Sequence, residues 1–152
     1  MIRTDKRLRI CTVLLILILL FIWGNSLMPG EVSQAISNWV QRLLMDVKPD
    51  ANGNPEGNGI LRKLAHFTEF TALGMTLAWR YGMLQKKKAW PFLSGVAAAC
   101  IDETIQIFVP ERAPGLRDVF IDSCGVLTGM ILLWLGHTCI KRRSTNQSLE
   151  DK

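Results

Sequence analysis

Three apolar stretches of the sequence carry acid, base and amide side chains near one of their two ends. Residues 61–84 contain a histidine and a glutamate three residues apart, residues 90–109 contain two adjacent acids and a glutamine, and residues 118–140 begin with two aspartates. The candidate catalytic residues are His66, Glu69, Asp102, Glu103, Gln106, Asp118 and Asp122. Histidine exchanges a proton near neutral pH and carboxylates orient it, so this set is typical of general acid–base catalysis.

The same acids could instead bind a cation. Asp102, Glu103, Asp118 and Asp122 offer oxygen ligands of the kind that Mg²⁺ or Ca²⁺ prefers. The sequence leaves open whether a divalent cation is present.

The elements that carry these residues are predicted to be membrane-spanning helices. Hydrophobic residues make up 49% of the 152 residues and charged residues 20%. Residues 61–84, 90–109 and 118–140 are each long enough to cross about 30 Å of hydrocarbon as a helix. Residues 8–24 form a purer apolar run after basic residues, which favours a retained signal anchor over a cleaved signal peptide. We therefore expect an all-α integral membrane protein with four transmembrane helices, in a single domain over residues 1–152.

A fifth helix is predicted between the first two spans. Apolar residues recur at helical spacing over residues 31–47, with polar residues on the opposite face. This amphipathic helix is expected to lie on the outer membrane surface with Trp39 as an anchor. Residues 48–59 are rich in Gly and Pro and are interpreted as a connector.

The basic residues predict the topology. With both termini cytoplasmic, 12 of the 18 Lys and Arg residues lie on the inner side, in clusters at 3–9, 86–88 and 141–143 among others. The acids and His66 then fall at one depth, in the outer leaflet. An ionised side chain at mid-bilayer costs about 2.5–3.5 kcal/mol, so the carboxylates are expected to face a wet pocket with Lys63, Arg112 and Arg117.

Each motif also has a structural explanation when it is taken alone. His66 could be a hydrogen-bonded packing residue and Asp118 the cap of its helix. Gly125 and Gly129 continue the row of Asp118 and Asp122 and form a small-residue surface for close helix packing. The convergence of all these residues at one depth is harder to explain as packing and favours a functional site.

Three ordered motifs resemble those of the VanZ-like membrane proteins. Residues 63–70 resemble the family pattern K-x-x-H-F-x-E-[FY], residues 102–108 with Pro110 and Arg112 resemble D-E-x-x-Q-x-F followed by Pro-x-Arg, and residues 118–125 resemble D-[VL]-x-x-[ND]-x-x-G. Asp122 stands where many relatives carry Asn, which adds a negative charge.

The resemblance implies a small four-helix protein of the bacterial cell membrane. The founding member is associated with reduced susceptibility to teicoplanin-type lipoglycopeptides, and the family has been proposed to act on phosphate-containing lipid headgroups. On that basis His66 would be the base or nucleophile, oriented by Glu69 or by an acid of the third span, and Lys63, Arg112 and Arg117 would bind phosphate.

Three functions remain open at this point. The first is a phosphodiester transferase or hydrolase acting on membrane lipids or lipid-linked envelope precursors at the outer leaflet. The second is non-catalytic binding of a lipid or an amphiphilic antibiotic. The third and weakest is ion-coupled transport, because transporters usually place their polar sites near the midplane. No nucleic-acid partner is expected.

Overall fold

The structure is a computed structural model that describes residues 2–45, 58–87, 89–113 and 115–150. These residues form helices and connecting turns without a strand, so the predicted all-α fold class is confirmed. The five helices are α1 (Ile2–Ser26), α2 (Gly30–Met45), α3 (Asn58–Met83), α4 (Ala89–Ile107) and α5 (Leu116–Glu150).

The helices agree with the predicted elements but differ at their ends. α1 and α5 extend well beyond the predicted spans 8–24 and 118–140, because the Lys, Arg, Gln and Glu residues that flank the apolar cores are themselves good helix formers. Residues 58 and 59 begin α3 instead of ending the predicted connector. The rest of the connector 48–59 lies outside the described residues.

Two of the described helices are long and apolar enough to cross a membrane. They are the segments Asp5–Ser26 of α1 and Leu116–Arg142 of α5. α3 and α4 carry most of the acids and bases of the candidate site, which lower their hydropathy. Large apolar side chains on α1, among them Leu17, Leu20 and Phe21, are more than half exposed. Such a surface is expected in contact with lipid rather than water, which suggests a membrane protein.

α3 and α5 pack closely through glycines. A Cβ atom added to Gly125 would lie 2.7 Å from the carbonyl oxygen of Phe67, and one added to Gly129 would meet the backbone of Thr71. Gly74 of α3 packs in the same way against the backbone of Val126. The small-residue surface predicted on α5 therefore brings two backbones together, which places the first turns of α3 and α5 side by side.

The buried apolar core lies in the middle of the bundle formed by α1, α3, α4 and α5. It is built from Ile22, Phe70, Leu73, Ala99 and Val126 with their neighbours. The last turn of α1, the first turns of α3 and α5 and the last turns of α4 meet at one end, which we call the polar end. The opposite end, where Tyr81 and Ser94 are hydrogen-bonded, is called the basic end.

α2 is attached to the loop between α4 and α5. The Gly30 amide donates to the carbonyl of Pro110 at 3.2 Å, and the Glu31 amide donates to the Glu111 carboxylate at 3.1 Å. Glu111 adopts a left-handed conformation, with φ of 60°, and its backbone lies where a Cβ on Gly30 would be. Residue 30 must therefore be a glycine for α2 to begin beside the polar end.

One face of α2 is apolar and exposed. Val32, Ile36, Trp39 and Leu43 lie three or four residues apart, and each is between 47% and 69% exposed. The amphipathic pattern in the sequence therefore corresponds to a helix with an uncovered apolar face.

Candidate functional site

Asp102 is the central side chain of the polar end. Its carboxylate is fully buried and accepts hydrogen bonds from the Ser26 hydroxyl at 2.7 Å and from the Gln106 amide at 2.9 Å. His66 Nδ1 lies 3.9 Å from Asp102 Oδ2, slightly beyond hydrogen-bonding distance. The acid that stands beside the histidine is therefore the one from α4.

Gln106 connects the acids of α4. Its amide nitrogen lies 2.9 Å from Asp102 Oδ2, 3.3 Å from the Ser26 hydroxyl and 3.5 Å from Glu103 Oε1. One NH₂ group thus lies against two carboxylates and a hydroxyl, and fixes their orientation without adding charge. The structure therefore brings Gln106 together with the other polar residues of α4, and its part in catalysis stays a prediction.

Glu103 positions the loop that precedes α5. Its Oε2 accepts the Gly115 amide at 2.8 Å, and its side chain is nearly buried. This hydrogen bond ties the C-terminal part of α4 to the segment that leads into Asp118. Glu103 therefore has a clear structural role in addition to facing the cavity of the site.

Asp122 is the least satisfied of the buried acids. It is 1% exposed, and its Oδ2 has no hydrogen-bond partner among the described residues. One ligand atom each from His66, Asp102 and Asp122 lie within 4.8 Å of one another. This nitrogen and oxygen set could hold a divalent cation. The four acids predicted as metal ligands are therefore only partly grouped: Asp102 and Asp122 join His66, whereas Glu103 and Asp118 are not in this cluster.

A small cavity opens between α3, α4 and α5 at the polar end and has room for about one water molecule. Six of its eight lining residues were singled out from the sequence: Lys63, His66, Glu103, Gln106, Asp118 and Asp122. The other two are Arg62 and Ile121. Residues from the predicted rows on three helices therefore line one common space, whereas Glu69 and Asp102 of those rows do not line it.

Glu69 faces α1 instead of this cavity. Its Oε1 accepts a hydrogen bond from the Asn25 side chain at 2.8 Å, and its Oε2 is buried without a hydrogen-bond partner among the described residues. Two acids were considered as orienting groups for His66. Glu69 is hydrogen-bonded to α1, and Asp102 is the acid that lies nearer to the His66 ring.

Arg112 also binds α1. Its Nε donates to the Met28 carbonyl at 3.1 Å and its Nη2 to the Asn25 carbonyl at 3.0 Å. The Asn25 carbonyl belongs to the last turn of α1 and also accepts the Met28 amide at 3.2 Å, whereas the Met28 carbonyl follows the helix. Burial lowers the pKa of the guanidinium, with a further contribution from the charge of Arg62. Two of the five N–H donors of Arg112 are thus engaged with backbone carbonyls, and its Nη1 is buried without a hydrogen-bond partner among the described residues. The phosphate contact expected from the sequence stays a prediction.

The two other predicted phosphate-binding residues lie in different places. Lys63 lines the cavity next to His66. Arg117 is exposed and does not line it. Arg62, which precedes Lys63, supplies a cation at the cavity that was not identified from the sequence.

Ser26 and Asn25 were also missed. They follow the first apolar run, at the depth where the three motifs converge, and that shared depth is the signal that could have identified them. Ser26 is completely buried against Asp102. The polar end is therefore built by four helices instead of three.

No curated protein and no solved structure matches this chain. The resemblance carried by the three motifs is confirmed by the model of one family, described as VanZ/LLP1, which matches residues 11–137 and so covers every residue of the polar end named above. The chain therefore belongs to the VanZ/LLP1 family.

Proposed function

We propose that this protein acts at the outer leaflet of the bacterial cell membrane on phosphate-containing lipid headgroups or lipid-linked envelope precursors. The observation that carries the proposal is the position of His66, whose Nδ1 lies 3.9 Å from buried Asp102, next to a cavity that Lys63 and Arg62 also line. A base, an acid that orients it and cations for phosphate oxygens are the groups that phosphodiester chemistry requires.

The proposed placement has α1, α3, α4 and α5 across the membrane and α2 along its outer surface. The wide exposed apolar surface of α1 and the apolar face of α2 support it. The concentration of Lys and Arg away from the polar end supports cytoplasmic termini. With this orientation the polar end lies at the depth of the outer headgroups, where a lipid phosphate is within reach.

His66 is proposed as the general base. Its Nδ1 lies on the side of Asp102, so Nδ1–H would donate to that carboxylate once the 3.9 Å contact shortens, and Nε2 would accept a proton. His66 takes the proton from water or a lipid hydroxyl as the oxygen of that nucleophile bonds to phosphorus. It then returns this proton to the leaving oxygen as the other P–O bond breaks. Lys63 and Arg62 neutralise the phosphate oxygens.

The size of the cavity limits where the substrate can lie. Space for about one water molecule fits an attacking nucleophile but not a whole headgroup. The headgroup is therefore proposed to bind at the mouth of the cavity with its lipid tail in the bilayer.

A divalent cation on His66, Asp102 and Asp122 is the alternative use of the same residues. The ion would polarise a phosphate oxygen or activate water, and His66 would then be a ligand instead of a base. Assays in EDTA, followed by return of Mg²⁺, Mn²⁺ or Zn²⁺, separate the two mechanisms. Loss of activity that a cation restores assigns these residues to metal binding, and activity that persists in EDTA assigns His66 as the base.

The central experiment compares lipids and envelope precursors in cells that express wild-type protein or His66→Ala. Thr68→Ala is the matched control, since Thr68 is exposed on α3 half a turn away. We expect a lipid or precursor species to change with wild type and Thr68→Ala but not with His66→Ala. Identical profiles for wild type and His66→Ala, at equal expression, would rule out catalysis by this site.

Non-catalytic binding is the second candidate function, and the uncovered apolar face of α2 beside the polar end favours it. Such a surface could hold an amphiphile whose polar part reaches the site, including a teicoplanin-type lipoglycopeptide. Under this function Asp118→Asn should keep most of any antibiotic phenotype, measured as the minimal inhibitory concentration of teicoplanin. Under the enzymatic function, His66→Ala abolishes the phenotype.

A further inference from the structure

A second and much larger cavity lies at the basic end of the bundle. Its volume is about 980 Å³, at the upper end of the range for ligand pockets. It is formed by the C-terminal half of α3, the first turn of α4 and the middle of α5, with Arg7 of α1 at its edge. Nothing in the proposed chemistry of the polar end uses this cavity.

The walls of the cavity are largely apolar. Trp79, Leu127, Met130 and Leu133 are among the residues that line it. Gly82 also lines it, and a Cβ atom there would meet no other atom within 4 Å. A long hydrocarbon chain therefore matches the walls in polarity, and the volume is large enough to hold part of one.

The rim of the cavity is basic. Arg7, Lys86 and His137 come from three separate parts of the chain and are all exposed. None of the described residues that line the cavity is an acid. The rim therefore attracts an anionic group. A ligand that matches both the rim and the walls carries this group at one end of an apolar chain that occupies the cavity.

We propose that this cavity binds an anionic phospholipid, with an acyl chain against the walls and the phosphate between Arg7, Lys86 and His137. A lipid is favoured over a second copy of this chain, because a copy in the same orientation would bring a second basic rim to the first. In the proposed topology the site faces the cytoplasmic leaflet, but the binding itself depends only on the residues that line the cavity.

Native mass spectrometry of delipidated protein, titrated with phosphatidylglycerol or phosphatidylcholine, tests the proposal. We expect phosphatidylglycerol to bind at least fivefold more tightly, and each of the changes Arg7→Glu and Lys86→Glu to weaken it about fivefold or more. Lys87→Glu is the matched control, since Lys87 is exposed on the same loop but does not line the cavity. It should leave the affinity unchanged.

Ala78→Trp tests whether the acyl chain binds against the apolar walls, because the indole would occupy the volume proposed for that chain. It should weaken binding of both lipids, while the thermal unfolding temperature stays close to that of wild type. If Ala78→Trp fails to fold, Gly82→Leu replaces it, since the space around Gly82 is open.

Three results would overturn the proposal. They are equal affinity for the two lipids, equal loss of affinity from Lys86→Glu and Lys87→Glu, and a dimer mass that excludes lipid from the cavity. None of these results bears on the chemistry of the polar end, because that end is assayed by headgroup turnover.

Discussion

The hydrogen bonds around Asp102 make a sharp prediction at the scale of a single residue. Both of its oxygens accept hydrogen bonds, from Ser26 and Gln106, and the His66 ring lies next to it. Asp102→Asn keeps the shape of the side chain but sets an NH₂ group against one of these donors and removes the charge that would stabilise a protonated His66. We expect headgroup turnover to fall by about 10²–10⁴-fold. Turnover is measured with purified protein and labelled lipid.

Asp5→Asn serves as its control, because Asp5 is exposed at the far end of α1. Turnover by Asp102→Asn within a few-fold of wild type would mean that Asp102 does not act on His66.

Ser26 provides a second prediction at the same scale. Its hydroxyl is buried and donates to Asp102 Oδ1 at 2.7 Å. Ser26→Ala leaves that oxygen without its donor, which costs about 1–3 kcal/mol for a buried acceptor. We expect a lower free energy of unfolding for Ser26→Ala, measured by denaturant titration in detergent, and an unchanged value for Ser37→Ala on α2. Equal stability of Ser26→Ala and wild type would mean that water replaces the hydroxyl.

At the scale of the helices, the contact between α3 and α5 determines where the site residues lie. Gly129 lies against the backbone of Thr71 and Met75, and an added Cβ has no room there. Gly129→Ala must therefore separate the two helices, and we expect a clearly lower thermal unfolding temperature together with loss of headgroup turnover.

Gly136 on the same helix is the control for this change. A Cβ there would meet no other atom within 4 Å, and alanine is the better helix former by about 1 kcal/mol. Gly136→Ala should be as stable as wild type or slightly more stable. A similar loss of stability in both variants would attribute the effect to the helix and not to the contact.

The helices also show which parts of the structure could be read from the sequence. The lengths of the apolar stretches and their helical spacing predicted the helices. The rows on α3, α4 and α5 predicted that their polar residues lie at one depth, but not that His66, Asp102 and Asp122 form a group of their own. Spacing along one helix does not fix its rotation against a neighbour, so Asp102 and Glu69 could not be ranked as partners of His66. In the structure, the rotation of α3 about its own axis places Glu69 against Asn25, so that Asp102 is the acid beside His66.

Arg112 illustrates a second limit. Its position between two spans predicts an available cation, but the carbonyls of Asn25 and Met28 take up two of its donors. Such contacts depend on how a loop folds back onto another helix, and no periodic pattern in the sequence records them. For Ser26, the sequence indicates its depth in the bundle, but only the packing of α1 against α4 brings it to Asp102.

At the scale of the whole molecule, the separation of a polar end from a basic end predicts the orientation in the membrane. The acids and His66 meet at the polar end, and Lys86 and Arg7 lie at the basic end. Basic segments are retained on the cytoplasmic side. We therefore expect the loop between α4 and α5 to face outside and the loop between α3 and α4 to face inside.

Cysteine labelling tests this orientation in a background where the four native cysteines, Cys11, Cys100, Cys124 and Cys139, are replaced by alanine. Ala113→Cys and Lys87→Cys are suitable reporters, because both positions are exposed in loops at opposite ends of the bundle. A membrane-impermeant maleimide should label Ala113→Cys in intact cells and Lys87→Cys only after lysis. The reverse pattern would put the polar end in the cytoplasmic leaflet and direct the search for a substrate to lipids of that leaflet.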